Sequence, residues 1–275
     1  MCTTGVLKND GCSWTLGWKT LDAAPTGVWH AEVSFPSGMK ALAVGITVQL
    51  GINSGLNSQG LCSVLSYLDT QIPDCSSPAQ ESGWAGDNRG LANAEMLAQC
   101  STVHEGNEFL TQYFARFPSV VGGNFILTDR YGALGIVEYY HGTVRFSQTL
   151  NTHIVRANNG LLVGLTEQQQ LPEATKRDRE GRFIMADRLG FKASAGTKDE
   201  AVADIQGFLS QHGDENHPPI CVHDYDVTGA RYSRPEPIST VTGVIFDIRQ
   251  YRMLFTRGNP CGNTWEELNP ALISS

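Results

Sequence analysis

Cys2-Thr3-Thr4-Gly5-Val6-Leu7 follows the initiator Met1 at the start of the chain. An ordinary terminus is polar and loosely held. This one runs from Cys directly into β-branched and apolar residues, which predicts a strand that begins almost at the end of the chain. Such a strand would hold Cys2 at the edge of a sheet. Cys is small enough for Met1 to be removed, and Cys2 would then carry both a thiol and a free α-amino group. The ordinary pKa values are about 8.5 for the thiol and about 7.7–8.0 for the amine. At physiological pH the amine is therefore partly neutral and within reach of the thiol proton, so one residue holds a nucleophile and its base. Taken alone, Cys2 reads more readily as an incidental thiol. The rest of the sequence has to decide.

Outward from that stretch, the first third predicts further strands at Ser13–Lys19, Val28–Phe35, Ala41–Leu50 and Gly60–Leu68, each short, apolar-rich and bounded by turn residues. Leu91, Ala94, Leu97 and Ala98 recur at helical spacing, as do Phe109, Leu110, Tyr113 and Phe114. Strands return at Asn124–Thr128, Gly135–Tyr140 and Thr143–Phe146, with a hairpin turn at Asp129-Arg130-Tyr131-Gly132. Two helices follow, Pro172–Leu189 with Gly190 as its stop, and Lys198–His212. Ser239–Ile248 and Arg252–Thr256 form a final hairpin, and Asp69 to Asn88 reads as a long surface loop. Strands and helices come in blocks, without strict alternation, so antiparallel sheets with segregated helices are expected: an α+β layered sandwich.

The chain has 275 residues, a formal net charge of −8 and only 17% charged residues. That charge and the absence of a Lys/Arg cluster argue against a nucleic-acid partner. No apolar stretch approaches the roughly 18 residues of a membrane span. The first residues have neither the basic nor the apolar region of a secretory signal. The seven cysteines are irregularly spaced, which fits reduced thiols and a cytoplasmic location, although one disulfide stays open. Cys221-Val222-His223-Asp224 is the nearest approach to a metal-ligand cluster. His104, His141, His153, His212 and His217 supply no second pair at zinc spacing, so no metal is expected. No nucleotide-binding glycine motif and no Gly-x-Ser-x-Gly elbow is present, so no cofactor is expected.

Cys2-Thr3-Thr4 resembles the mature N-terminus of the N-terminal nucleophile hydrolases of the choloylglycine hydrolase and acyl-CoA:6-aminopenicillanic acid acyltransferase superfamily. That family follows its nucleophile with Gly-Arg-Asn-x-Asp. Here Gly17-Trp18-Lys19-Thr20-Leu21-Asp22 stands in its place, with one extra residue, Lys19 for the usual Arg and Thr20 for the usual Asn. The family's Asn-x-x-Gly-Leu turn is similar to Asn57-Ser58-Gln59-Gly60-Leu61. Its Gly-Asn hairpin resembles Gly123-Asn124 to Gly132 with Glu138 beyond. Its Thr-Asn motif is similar to Ala157-Asn158, and its Ser-x-Arg-aromatic helix to Gly181-Arg182-Phe183. Ile220 to His223, Thr240 to Asp247 and Arg257 to Cys261 resemble its closing segments.

The resemblance implies a four-layer αββα sandwich with two stacked antiparallel sheets, formed by one domain over residues 1–275. It implies Cys2 as nucleophile, Asp22 as the partner that orients the amine, and Asn158 as an oxyanion donor. The backbone N–H of Tyr67 is a candidate second donor, and Ser66 stands where bile-salt hydrolases carry an Asn. Lys19 and Arg182 would favour the thiolate. Plainer readings stand beside these roles: a turn-capping Asp22, a surface Lys19, a left-handed loop Asn158, and an Arg182 that belongs to the mixed charge run from Lys176. On a regular strand Lys19 and Asp22 point to opposite faces, so both roles together require a bend. The activity implied is cleavage of a linear amide through a Cys2 acyl-enzyme. Acyl transfer from a thioester or amide to an amine is the alternative, and a non-catalytic binding protein of the same fold is the alternative from another class. The partner would be a small-molecule amide or acyl thioester, and a homo-oligomer stays open.

Overall fold

The predicted opening strand is present. In the computed structural model, which describes residues 2–24, 26–70, 86–163, 171–224 and 237–270, β1 (Thr4–Lys8) starts two residues after Cys2. It lies between β2 (Thr15–Ala23) and β10 (His153–Arg156), antiparallel to both. β11 (Ser239–Asp247), β12 (Arg252–Thr256) and β13 (Trp265–Leu268) extend this first sheet in the order β10-β1-β2-β11-β12-β13. The second sheet runs in sequence order through β3 (Val28–Ser34), β4 (Lys40–Ile46), β5 (Ser54–Asn57), β6 (Cys62–Thr70), β7 (Val121–Thr128), β8 (Leu134–Tyr140) and β9 (Thr143–Thr149).

Side-chain alternation along these strands divides the core into three apolar layers. Val6, Leu21, Val244 and Phe246 of the first sheet meet Leu42, Val64, Ile126 and Ile136 of the second. The opposite face of the second sheet, with Ala43, Leu65, Phe125 and Val137, packs on α1 (Arg89–Leu97) and α2 (Val103–Arg116). The opposite face of the first, with Leu7, Leu16, Trp18 and Val155, packs on α3 (Glu173–Ser194) and α4 (Lys198–Leu209). The result is the expected α+β sandwich of helices, sheet, sheet and helices.

Several expectations need correction. Gly190 does not stop α3, which continues to Ser194. A Cβ at Gly190 would lie 2.3 Å from His153 Cδ2, so this glycine lets the helix cross β10 closely. The strand expected at Ala41–Leu50 ends at Ile46, and a turn follows. β5, β10 and β13, of four residues each, have no alternation long enough to be read from sequence. Most of the loop expected from Asp69 to Asn88 lies outside the described residues. No helix among the described residues is long and apolar enough to cross a membrane.

Candidate active site

β1 pairs with β10 with Thr4 opposite Arg156. Two residues further along both chains, that register sets Cys2 across from Asn158. The Cys2 backbone nitrogen donates to Asn158 Oδ1 at 2.7 Å, and with Met1 removed this nitrogen is the α-amino group. On the other flank, Thr3 N–H donates to Thr20 Oγ1 at 3.0 Å, and Thr20 N–H donates to the Thr3 carbonyl at 2.9 Å. Cys2 is therefore fixed from both neighbouring strands, and only 7% of its surface is exposed.

Asn158 has a φ of +63°, in the left-handed region that Asn tolerates better than most residues. The left-handed loop reading of this residue holds, and its side-chain oxygen faces the Cys2 nitrogen. One amide N–H is committed to the Tyr67 carbonyl at 2.6 Å. Tyr67 thus enters the site through its carbonyl, whereas an N–H donor was expected. Ser66 is drawn elsewhere: its hydroxyl accepts from Asn124 Nδ2 at 3.1 Å, and among the described residues it makes no hydrogen bond to Cys2.

Arg182 is buried beside Cys2 and is not a solvated member of its charge run. It is 1% exposed. Its Nη1 donates to the Cys2 carbonyl at 3.0 Å and to Thr3 Oγ1 at 3.2 Å, and both terminal nitrogens lie 3.3 Å from Asn158 Oδ1. Asp178, one helical turn earlier, accepts from Arg182 Nε and Nη2. Burial lowers the Arg182 pKa, but Asp178, Asp22 and Cys2 together raise it above the ordinary arginine value. Gly181 allows this helix to approach Pro218, since a Cβ there would lie 2.7 Å from Pro218 Cδ.

Lys19 is likewise no surface residue. Its ammonium lies between the sheets and donates to Asn53 Oδ1 at 2.5 Å and to the Leu65 carbonyl at 2.6 Å. Asn53 donates to Gln49, Gln49 to Asp87, and Arg89 grips Asp87 through two nitrogens at 2.8 Å. Burial lowers the Lys19 pKa, while Cys2 and Asp22 pull it back up and Arg89 lowers it. Asp22 accepts from Thr240 Oγ1 at 2.7 Å. Burial pushes its carboxyl up, opposed by the charge of the chain terminus, by Thr240, and by Arg182 and Lys19. The bend expected on β2 is not found there: β2 runs from Lys19 to Asp22 with no inserted residue, and the register shift opposite Asp22 and Leu21 places the extra residue, Val241, on β11. Thr240 also borders an open cleft of about 390 Å³ with Val28, His30, Arg257 and Asn259; Cys2 does not line it.

Cys2, Asp22, Lys19, Asn158 and Arg182 are therefore brought together. Thr20, Thr240 and Asp178, which hold them, were not read from sequence. Asp178 had a signal, its i,i+4 spacing to Arg182. Thr240 had none, because its place beside Asp22 follows from the pairing of β11 with β2.

This architecture is shared with penicillin V acylase from Agrobacterium tumefaciens, at a TM-score of 0.61 and 16% identity over 98% of this chain and 86% of that one. It is shared with a mutant conjugated bile acid hydrolase from Clostridium perfringens, at 0.51 and 12% over 98% and 97%. An N-acylethanolamine-hydrolyzing acid amidase ortholog from Caenorhabditis elegans gives 0.57 and 12% over 90% and 93%. The fold is that of the N-terminal nucleophile hydrolases. No protein-family model matches the sequence, and no curated protein does.

One further reading changes. The Cys221 and His223 pair, which had no second pair at zinc spacing, is joined by His212 and Cys261. The four ligand atoms lie within 4.8 Å of one another. Sequence spacing could not show this, because three separate segments supply them.

Proposed function

We propose that the protein hydrolyses a linear amide of a small molecule, with Cys2 as nucleophile and its own α-amino group as base. The observation that carries this reading is the Cys2 nitrogen held 2.7 Å from Asn158 Oδ1, with Arg182 on the Cys2 carbonyl. A frayed terminus would have no such fixed nitrogen. The shared fold with an acylase and two amide hydrolases supports the same reading.

The neutral amine takes the thiol proton as Sγ bonds to the amide carbon, and the carbonyl oxygen becomes an oxyanion. The second N–H of Asn158 is the donor aimed at that oxygen, since the first is held by Tyr67. The C–N bond then breaks, and the ammonium of Cys2 gives its proton to the leaving amine. Water, deprotonated by the restored amine, attacks the thioester. The tetrahedral adduct collapses, Sγ leaves and regains its proton, and a carboxylic acid is released. Asp22 and Asn158 Oδ1 orient the amine, while the buried charges of Lys19 and Arg182 favour thiolate and oxyanion.

The test is intact-mass spectrometry of protein incubated with mixed amides and acyl thioesters. Loss of Met1 and an acyl adduct on Cys2 are expected, and Cys2→Ala should abolish adduct and turnover. Retained Met1, or full turnover by Cys2→Ala, would sink the proposal and favour a non-catalytic member of the fold. Release of the acyl group to an added amine in preference to water would replace hydrolysis by acyl transfer.

A further inference from the structure

We propose that His212, Cys221, His223 and Cys261 bind one zinc ion in a closed structural site that braces the segment holding Asp22. His212 lies three residues beyond α4, Cys221 and His223 flank Val222, and Cys261 lies in the turn after β12. The sulfurs of Cys221 and Cys261 are 3.5 Å apart, and the Nε2 atoms of His212 and His223 are 3.3 Å apart. His223 Nε2 lies 3.1 Å from Cys261 Sγ and 3.8 Å from Cys221 Sγ.

Those separations lie within about 0.5 Å of the edges of a zinc tetrahedron. With Zn–S of about 2.3 Å and Zn–N of about 2.0–2.1 Å, the edges come to about 3.8 Å for S···S, about 3.3 Å for N···N and about 3.6 Å for S···N. Two thiolates and two neutral imidazoles suit zinc in ligand type and offset its charge. Four protein ligands leave no open position, which assigns the ion to structure and not to catalysis. A Cys221–Cys261 disulfide would account for the sulfurs but not for two imidazoles turned onto them.

The position of the cluster explains what it would do. Val222, between two ligands, donates its N–H to Thr240 Oγ1 and accepts from Thr240 N–H, both at 2.9 Å. Asn259, two residues before Cys261, donates to the Thr240 carbonyl at 2.6 Å. Thr240 in turn donates to Asp22. Ile220 and Val222 are buried on either side of Cys221, while the other three ligands, His212, His223 and Cys261, are exposed. An ion tying three segments together fixes Val222 and Asn259, and through them Thr240.

The test is metal analysis of the full chain purified under reducing conditions, followed by cobalt substitution. One zinc per chain is expected. The cobalt protein should show thiolate-to-metal charge-transfer bands and the strong visible bands of a tetrahedral ion. Cys221→Ser and Cys261→Ser should each lose the stoichiometric zinc, whereas Cys12→Ser keeps it, and a chelator should lower Tm in the wild type and Cys12→Ser but not in the two zinc-free variants. No metal after incubation with zinc chloride, zinc retained by Cys221→Ser, or a Cys221–Cys261 disulfide in freshly purified protein would each overturn the proposal. The cobalt spectrum needs no variant to fold. None of these readouts uses turnover, so the outcome is independent of the role of Cys2.

Discussion

Asp22 sets function against stability within one side chain. Burial raises its carboxyl pKa despite four opposing interactions. A carboxyl whose native pKa exceeds its unfolded value holds its proton more tightly when folded. It therefore weakens the fold as pH rises from the ordinary carboxylate value through the native one. Asp22→Asn should be more stable than wild type at neutral pH, with the gap closing near about pH 4 in urea titrations. Turnover should fall about 100-fold or more, because the amine loses its orienting charge. An unchanged or lower stability at neutral pH would contradict this account. His30 has the opposite sign. Burial, helped by Arg257 and opposed by Glu266, lowers its pKa to about 4. The unfolded chain protonates first, so the contribution is complete above the ordinary value of about 6.5 and is lost as pH falls toward about 4. His30→Gln, which can still bond Thr242 Oγ1, should flatten the dependence of stability on pH across that window.

At the scale of elements, the packing of α3 on β10 makes a sharp test. Ala is the better helix former by about 1 kcal/mol, so an isolated helix would gain from Gly190→Ala. In the protein the new methyl would meet the His153 ring, which Asp187 holds at 3.0 Å. Overpacking of this kind costs about 1–3 kcal/mol, so a net loss of stability is expected in denaturant melts. A gain would show that the helix moves freely away from β10. The same contact explains the error about where the helix ends. Gly190 carries the local signal of a stop, while the reason it is glycine lies in a strand distant in sequence. β1, β7 and the β11–β12 hairpin were legible because each holds a short run rich in apolar and β-branched residues, set off by turn residues. Lys19 and Arg182 were not legible as buried groups, since their partners come from other strands or from a helix face seen only after packing.

At the scale of the whole molecule, the sheets are joined by charge as well as by apolar contact. Arg156 of β10 donates to Glu138 of β8 at 2.9 Å. Glu138 also accepts the backbone N–H groups of Leu161, Leu162 and Val163. Removing one member of a buried pair costs about 3–5 kcal/mol, but the two members are not equivalent here. Arg156→Met leaves the carboxylate three donors, whereas Glu138→Leu strands three backbone N–H groups and an arginine. Glu138→Leu should therefore be the more destabilising, by urea melts of both variants, and equal costs would contradict the asymmetry. Antiparallel sheets with segregated helices were readable from blocks of strands and helices, and the four-layer order followed from the family resemblance. The polar seam between them was not, because Glu138 and Arg156 look like ordinary charged residues in sequence.

The pairing of β1 between β2 and β10 also sets a schedule. Cys2 is made well before its partners: its nitrogen and carbonyl are held by residues 156 and 180 positions later. At about 5–20 residues per second of synthesis, Cys2 waits on the order of 10–40 seconds for Arg182 to exist. Under the proposed mechanism, Met1 is to be removed during that interval. Once β10 and α3 have docked, Cys2 is enclosed. The proposed chemistry of Cys2 therefore requires an event completed before the chain has closed around β1.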